Sequence, residues 1–139
     1  MARVPGVERV RLSSVEVIHV KDSLLEALAH EPKVCPHVHV PMQSGDDEVL
    51  RAMGRRYTAA TYLRRLEELT DFNLTADVIV GFPTEDERAF ANTLRAVRDA
   101  RLTKLHVFPY SPRPGTRALR ERSRRAAAGS RAGECPPVG

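Results

Sequence analysis

Cys35-Pro-His-Val-His-Val-Pro-Met-Gln-Ser-Gly-Asp-Asp47 is the stretch whose reading decides the fold. From Cys35 to Gln43 the residues alternate, which predicts a strand carrying His37, His39 and Gln43 on one face. Ser44, Gly45, Asp46 and Asp47 follow as a turn rich in capping side chains, and a short helix then runs from Asp46 to Met53. Polar side chains at the end of a parallel strand, just ahead of a helix, are where α/β proteins place ligand contacts. The rest of the chain reads as support for that junction.

Working outward, Val7 to Val17 is β-branched and alternating, and suits a strand. Asp22 can cap a helix over Ser23–His30, which Pro32 ends. Beyond Gly54, Thr58 starts a helix to about Thr70, with Ala59, Tyr62, Leu63, Leu66 and Leu69 inward. Leu74 to Val80 is nearly all apolar, as in a strand buried on both faces. After Gly81-Phe-Pro83, Thr84 opens a capping box and a helix to Ala100, with Phe90, Leu94 and Val97 inward. Lys104 to Tyr110 is a last strand. Strands alternating with helices imply an α/β fold with a parallel sheet and right-handed crossovers. Four strands make only part of a barrel or doubly wound sheet.

With 139 residues, 42% apolar and 29% charged, the composition is that of an ordinary globular chain. Trp is absent and aromatics are scarce, which argues against an aromatic platform for stacked bases. No stretch suits a membrane span or a signal peptide, so a cytoplasmic location is expected. Residues 1–112 hold 15 Lys and Arg against 16 Asp and Glu, while residues 113–139 hold seven Arg against two Glu. The basic character therefore belongs to the tail. Residues 117–139 are expected to be a disordered, Arg-rich end; nucleic-acid binding through it is the alternative.

Several residues invite chemistry, each with a plainer alternative. Cys35, His37 and His39 suggest metal, but alternate strand positions project in parallel and converge poorly on one ion. Lining a barrel interior with hydrogen-bond partners suits them better. Gln43 with Ser44 and Gly45 could hold a nucleoside through its amide and the following helix N-terminus, or Ser44 and Asp46 could be caps only. Asp77, inside an apolar strand, needs a partner: a ligand amine or hydroxyl, or an internal Arg. Arg55 could grip a ligand carboxylate or be merely solvated. No Ser/His/Asp or Cys/His arrangement and no metal ligand set can be argued.

Three segments in order carry a resemblance: Arg11-Leu-Ser-Ser-Val-Glu16; Pro36 to Gly45 with Met53-Gly-Arg-Arg-Tyr-Thr58; and Asp77-Val-Ile-Val-Gly-Phe-Pro83 with Leu105-His-Val-Phe-Pro-Tyr-Ser-Pro-Arg-Pro-Gly-Thr116. Together they resemble the radical S-adenosylmethionine tRNA methylthiotransferases, especially the branch acting on threonylcarbamoyladenosine beside the anticodon. The resemblance implies a partial (β/α) barrel of the radical SAM type, about four strands of a six-strand barrel, over residues 1–116. It implies S-adenosylmethionine held against a [4Fe–4S] cluster, a 5′-deoxyadenosyl radical, and insertion of a methylthio group at C2 of the adenine in tRNA. Gln43, Arg55 and Asp77 then fall where the cofactor's ribose, carboxylate and amino group are held, with Ser14 and Glu16 as further candidates.

The departures are equally specific. The family's C-x-x-x-C-x-x-C cluster motif does not occur, and Cys35 and Cys135 are the only cysteines. Three clustered thiolates are needed, so the chain is expected to lack the cluster ligands. The polypeptide therefore reads as a truncated or frameshifted barrel half, inert alone, or as a subunit completed in trans by the missing N-terminal half.

Overall fold

A computed structural model describes residues 2, 4–116 and 118. The expected tail therefore lies outside the described residues, apart from Ala118. The named elements are α1 (Asp22–His30), β1 (His37–His39), α2 (Asp47–Ala52), α3 (Ala59–Glu67), β2 (Asn73–Val80), α4 (Glu87–Asp99) and β3 (Lys104–Pro109). A 3-10 turn at Val17–His19 precedes them. The strands form one parallel sheet in the order β1-β2-β3.

The sheet has three strands rather than the expected four. Val7–Val17 does not form a continuous strand; it touches the β1 side at two isolated parallel bridges, Val10 to Val34 and Ser14 to His39. The pairing of β1 also outlasts its three named residues. Val40 donates to the Thr75 carbonyl, and Met42 and Gln43 both donate to that of Asp77. Two residues facing one acceptor make a bulge, which bends the strand end. Pro41 lacks an N–H, but the N–H groups on either side of it point to β2. Its own nitrogen faces away from β2, where a proline costs no bond of that ladder.

Alternation along the strands separates two faces. Val38, Val40, Leu74, Ala76 and Val78 are buried against Tyr62 and Leu66 of α3 and Ala96 of α4. On the other face Thr75, Asp77 and Ile79 alternate with them. Thus β2 is not apolar on both sides as expected; its second face carries Thr75 and Asp77 beside Ile79 and is partly open. The interior of a (β/α) barrel is built from such a face. Tyr62 reaches through the core, its hydroxyl donating to the Val40 carbonyl at 2.7 Å, and burial pushes its phenol pKa strongly up.

Helix α4 differs most from expectation. Its cap is Asp86, not Thr84, with the Asp86 carboxylate accepting from the Ala89 N–H. Phe90 and Leu94, expected inward, are 41% and 42% exposed, whereas Ala89, Thr93 and Ala96 are buried. The reason is a close approach: a Cβ on Gly45 would lie 2.6 Å from the Ala96 Cβ and 2.7 Å from the Thr93 Cα. Only a small-residue face can pack that near another backbone, so the helix turns its large side chains outward.

The same contact carries a buried polar network. Thr93 Oγ1 accepts from the Gly45 N–H at 3.0 Å and lies 3.2 Å from Ser44 Oγ, which accepts from the Asp46 N–H. Asp46 caps α2 by accepting from Glu48 and Val49, and Asn92 of α4 donates to its other oxygen at 2.6 Å. Burial pushes the Asp46 carboxyl up, but the Asn92 and backbone hydrogen bonds outweigh it and hold its pKa below the usual range.

Two predictions follow from this corner. Gly45→Ala should destabilise by about 1–3 kcal/mol or more, because the methyl meets backbone that cannot yield; the urea midpoint reads the loss. For Asp46, the unfolded carboxyl takes up its proton at a higher pH than the folded one. Its stabilisation is complete above the unfolded pKa and declines as pH falls through the depressed folded value. Urea midpoints measured from about pH 6 downward should therefore fall less steeply in Asp46→Asn than in the parent.

Candidate functional site

The open face of the sheet holds two adjoining recesses. β2 joins them, because Asp77 lines one and Ile79, two residues on and on the same face, lines the other. The recess at the strand ends is about 290 Å³ and is lined by Gln43, Gly54, Arg55, Ile79 and Phe82. The lower one, about 470 Å³, is lined by Ser14, His39, Thr75, Asp77 and His106. Gln43 and Arg55 thus come together in one recess, and Ser14 and Asp77 in the other. Glu16 accepts from Arg55 Nη1 at 2.9 Å, which ties the Val7–Val17 segment to the turn after α2.

Gln43 sits at the bulge with φ of 67°, in the left-handed region that non-glycine residues avoid. The double hydrogen bond to the Asp77 carbonyl holds it there. Ser44 and Asp46 are structural: both are buried and spend their oxygens on the turn and on α4. The leading N–H groups of α2 accordingly go to Asp46, and only Gln43 of this turn faces a recess. Arg55 gives its Nη1 to Glu16 and its backbone N–H to the Leu50 carbonyl. Its Nε is buried without a partner among the described residues, a free donor in the recess wall.

Asp77 has neither an arginine nor an apolar surround. His39 Nε2 lies 3.2 Å from Oδ2 and His106 Nδ1 lies 3.1 Å from Oδ1. His39 Nδ1 is 2.8 Å from Thr75 Oγ1, which also meets His37 Nε2 at 3.4 Å. The expected lining role of His37 and His39 is therefore met through Thr75. Burial lowers the His37 pKa, and the charge of Arg11 and the neighbouring His39 lower it further. Cys35 is half-buried and takes no part in this cluster. His106 is the residue that reading the chain alone passed over. Its signal was register, since Asp77 and His106 stand opposite one another on paired strands.

Other proteins resemble this chain in sequence and fold. The sequence pattern described as the radical SAM superfamily matches residues 3–97. A threonylcarbamoyladenosine tRNA methylthiotransferase of Thermotoga maritima is 44% identical over 122 residues, 85% of this chain and 28% of that protein. A tRNA-2-methylthio-N(6)-dimethylallyladenosine synthase of Endomicrobium trichonymphae is also 44% identical, over 84% of this chain and 29% of its own. The chain thus spans less than a third of these curated relatives. Among solved structures, the fold resembles coproporphyrinogen III oxidase of Escherichia coli, described as a radical SAM enzyme. The TM-score is 0.67 and the identity 22%, over 81% of this chain and 26% of that one.

The Glu16–Arg55 pair tests how far the site is independent of stability. Both side chains are substantially exposed, so water already screens them. Glu16→Ala should change unfolding free energy by less than about 1 kcal/mol in a denaturant titration, while freeing the whole Arg55 guanidinium.

Proposed function

We propose, from the premise that this chain belongs to the radical SAM superfamily, that it forms the S-adenosylmethionine-binding wall of a tRNA methylthiotransferase barrel. The observation that carries the reading is the pairing of a strained Gln43 with a buried, unpartnered Arg55 Nε in one recess at the strand ends. Strain of this kind costs about 1–3 kcal/mol and tends to be retained at ligand sites. In this reading Arg55 grips the cofactor carboxylate and the Gln43 amide reads the ribose. Asp77 receives the amino group, with Ser14 in its recess and Glu16 beside Arg55 as further cofactor contacts. When bound, S-adenosylmethionine would supply the activated methyl and 5′-deoxyadenosyl groups.

The threonylcarbamoyladenosine branch, with tRNA as substrate, is our choice from the three ordered segments; the curated relatives include both this and the dimethylallyladenosine type. The [4Fe–4S] cluster does not fit this chain's own donors. A cluster needs three gathered thiolates, and the full sequence contains Cys35 and Cys135 alone. We therefore propose that the chain on its own does not carry out the modification. Completion in trans is favoured by β3: among the described residues it ends the sheet, and its Val107 and Phe108 are 55% and 51% exposed. A parallel strand from a partner would pair that edge and cover both side chains. No helix of the described residues is long and apolar enough to cross a membrane.

The test is calorimetric titration of the chain with S-adenosylmethionine. One site is expected, weakened at least tenfold by Arg55→Ala and by Gln43→Gly. Gln43→Gly relieves the positive φ, so it should leave the urea midpoint unchanged or raised while binding falls. No heat of binding, or affinity indifferent to both substitutions, would overturn the cradle.

A further inference from the structure

Below the proposed cofactor recess lies a cluster in which this reading uses Asp77 but neither histidine. His39, Asp77 and His106 come from three different strands and present Nε2, a carboxylate and Nδ1, all within 4.8 Å of one another. We propose that this triad is a binding site for a divalent first-row transition ion, with zinc as the reference ion. The proposal shares Asp77 with the methylthiotransferase reading, so ion and cofactor amino group would compete for that carboxylate, but its test requires no S-adenosylmethionine.

The donor set is the first argument. Two imidazoles and one carboxylate are a recurrent three-ligand set for zinc and ferrous iron, leaving an open position. The spacing is the second. Zinc bonds of about 2.0–2.1 Å at a tetrahedral angle put neighbouring ligand atoms about 3.3–3.4 Å apart. The two imidazole-to-carboxylate separations here are 3.2 Å to Oδ2 and 3.1 Å to Oδ1, so a shared ion would meet both oxygens of the carboxylate. His106 is 41% exposed, so its ring can turn to close the remaining edge.

Ring orientation supplies the third argument. Thr75 Oγ1 stands between His39 Nδ1 and His37 Nε2 and has one proton to give. When that proton goes to His37, His39 donates from Nδ1 to Thr75 and presents its Nε2 lone pair to Asp77. Two acceptors then face each other, and the contact is attractive only with a proton or a metal ion between them. A bond to the second ring nitrogen is also what orients most metal-binding histidines. The opposite proton order gives a plain hydrogen-bonded chain, so the two readings differ in a measurable way. Arg11 and Lys104 line the same recess and oppose a bare cation. The Asp77 charge and an anionic fourth ligand, such as hydroxide, offset them.

The site differs from the Cys-x-His-x-His reading. It takes one ligand from each strand instead of three from one, so the ligands converge where alternate positions of a single strand diverge. That difference sets the controls.

The experiment uses the full chain, stripped of metal with a chelator and titrated with cobalt(II), then with zinc. One equivalent of cobalt should bind, with visible ligand-field absorption that zinc removes. His39→Ala and His106→Gln should each weaken zinc binding at least tenfold, and Thr75→Val about tenfold through lost orientation of His39. Cys35→Ser should bind as the parent does. Circular dichroism confirms that each variant is folded; His106, half exposed, decides the matter if His39→Ala unfolds. Absence of stoichiometric binding, affinity unchanged in His106→Gln, or loss in Cys35→Ser would overturn the site and leave the hydrogen-bonded chain. S-adenosylmethionine binding, titrated on the metal-free chain, fails or succeeds separately, because Arg55→Ala and Gln43→Gly test it at residues outside the triad.

Discussion

Everything at the open end of this sheet depends on how closely α4 approaches Gly45. With no side chain there, the Gly45 backbone lies against Thr93 and Ala96, near enough for the Thr93 hydroxyl to take the Gly45 N–H. That contact fixes the turn after β1, and the turn fixes both α2 through its Asp46 cap and the bulge that presents Gln43. A buried polar network is stable only when every member is satisfied. Ser44, Asp46, Asn92 and Thr93 meet that condition among themselves and with the turn N–H groups. The corner therefore works as a rigid joint, and Gln43 can be held at positive φ because its surroundings leave it no alternative.

From that joint the sheet divides its labour by parity. Residues facing the helices are Val, Leu and Ala, and they bury the apolar area that holds the domain together. Residues on the opposite face are polar, and they answer one another across strands: His37 and His39 through Thr75, His39 and His106 through Asp77. Because the strands are parallel and in register, each cross-strand contact joins residues far apart in the chain. The polar face is thus a product of pairing, not of any local motif.

This parity also explains what could be read from the chain. The β1–turn–α2 unit, α3, β2, α4 and β3 were legible because alternation, helical spacing and capping side chains are local signals. The strand expected over Val7–Val17 was not realised: pattern alone cannot distinguish a continuous strand from a segment touching its neighbour at Val10 and Ser14. The inward face of α4 was misassigned because size, not hydrophobicity, decides a helix that packs on glycine. Phe90 and Leu94 have the right spacing for a core stripe, yet Thr93 and Ala96 fit the space. Asp77 was legible as a carboxylate needing a partner, but its two histidines lie 38 and 29 residues away. The pairing of Gln43 with Arg55 was suggested by resemblance and not by spacing, since the intervening α2 has to fold back before the two share a recess.

The hydrogen-bond inventory of the open face separates its two levels. In the lower recess the Asp77 carboxylate has both oxygens engaged and the Thr75 hydroxyl serves two rings. Toward the strand ends the pattern changes: Arg55 Nε, Thr84 Oγ1 and Tyr110 Oη are buried without a partner among the described residues. Orphaned polar groups each cost about 1–3 kcal/mol, so a fold carries them chiefly where something else is meant to pair with them. Two orphans belong to the turns after β2 and β3, and the third to the turn after α2. In a parallel α/β sheet that is the end where ligands bind. Among the described residues the orphans thus gather mainly at the rim, with His37 Nδ1 of the lower recess the exception. That bias supports the proposed placement of a polar ligand with several hydrogen-bonding groups at the rim, on grounds independent of any family likeness.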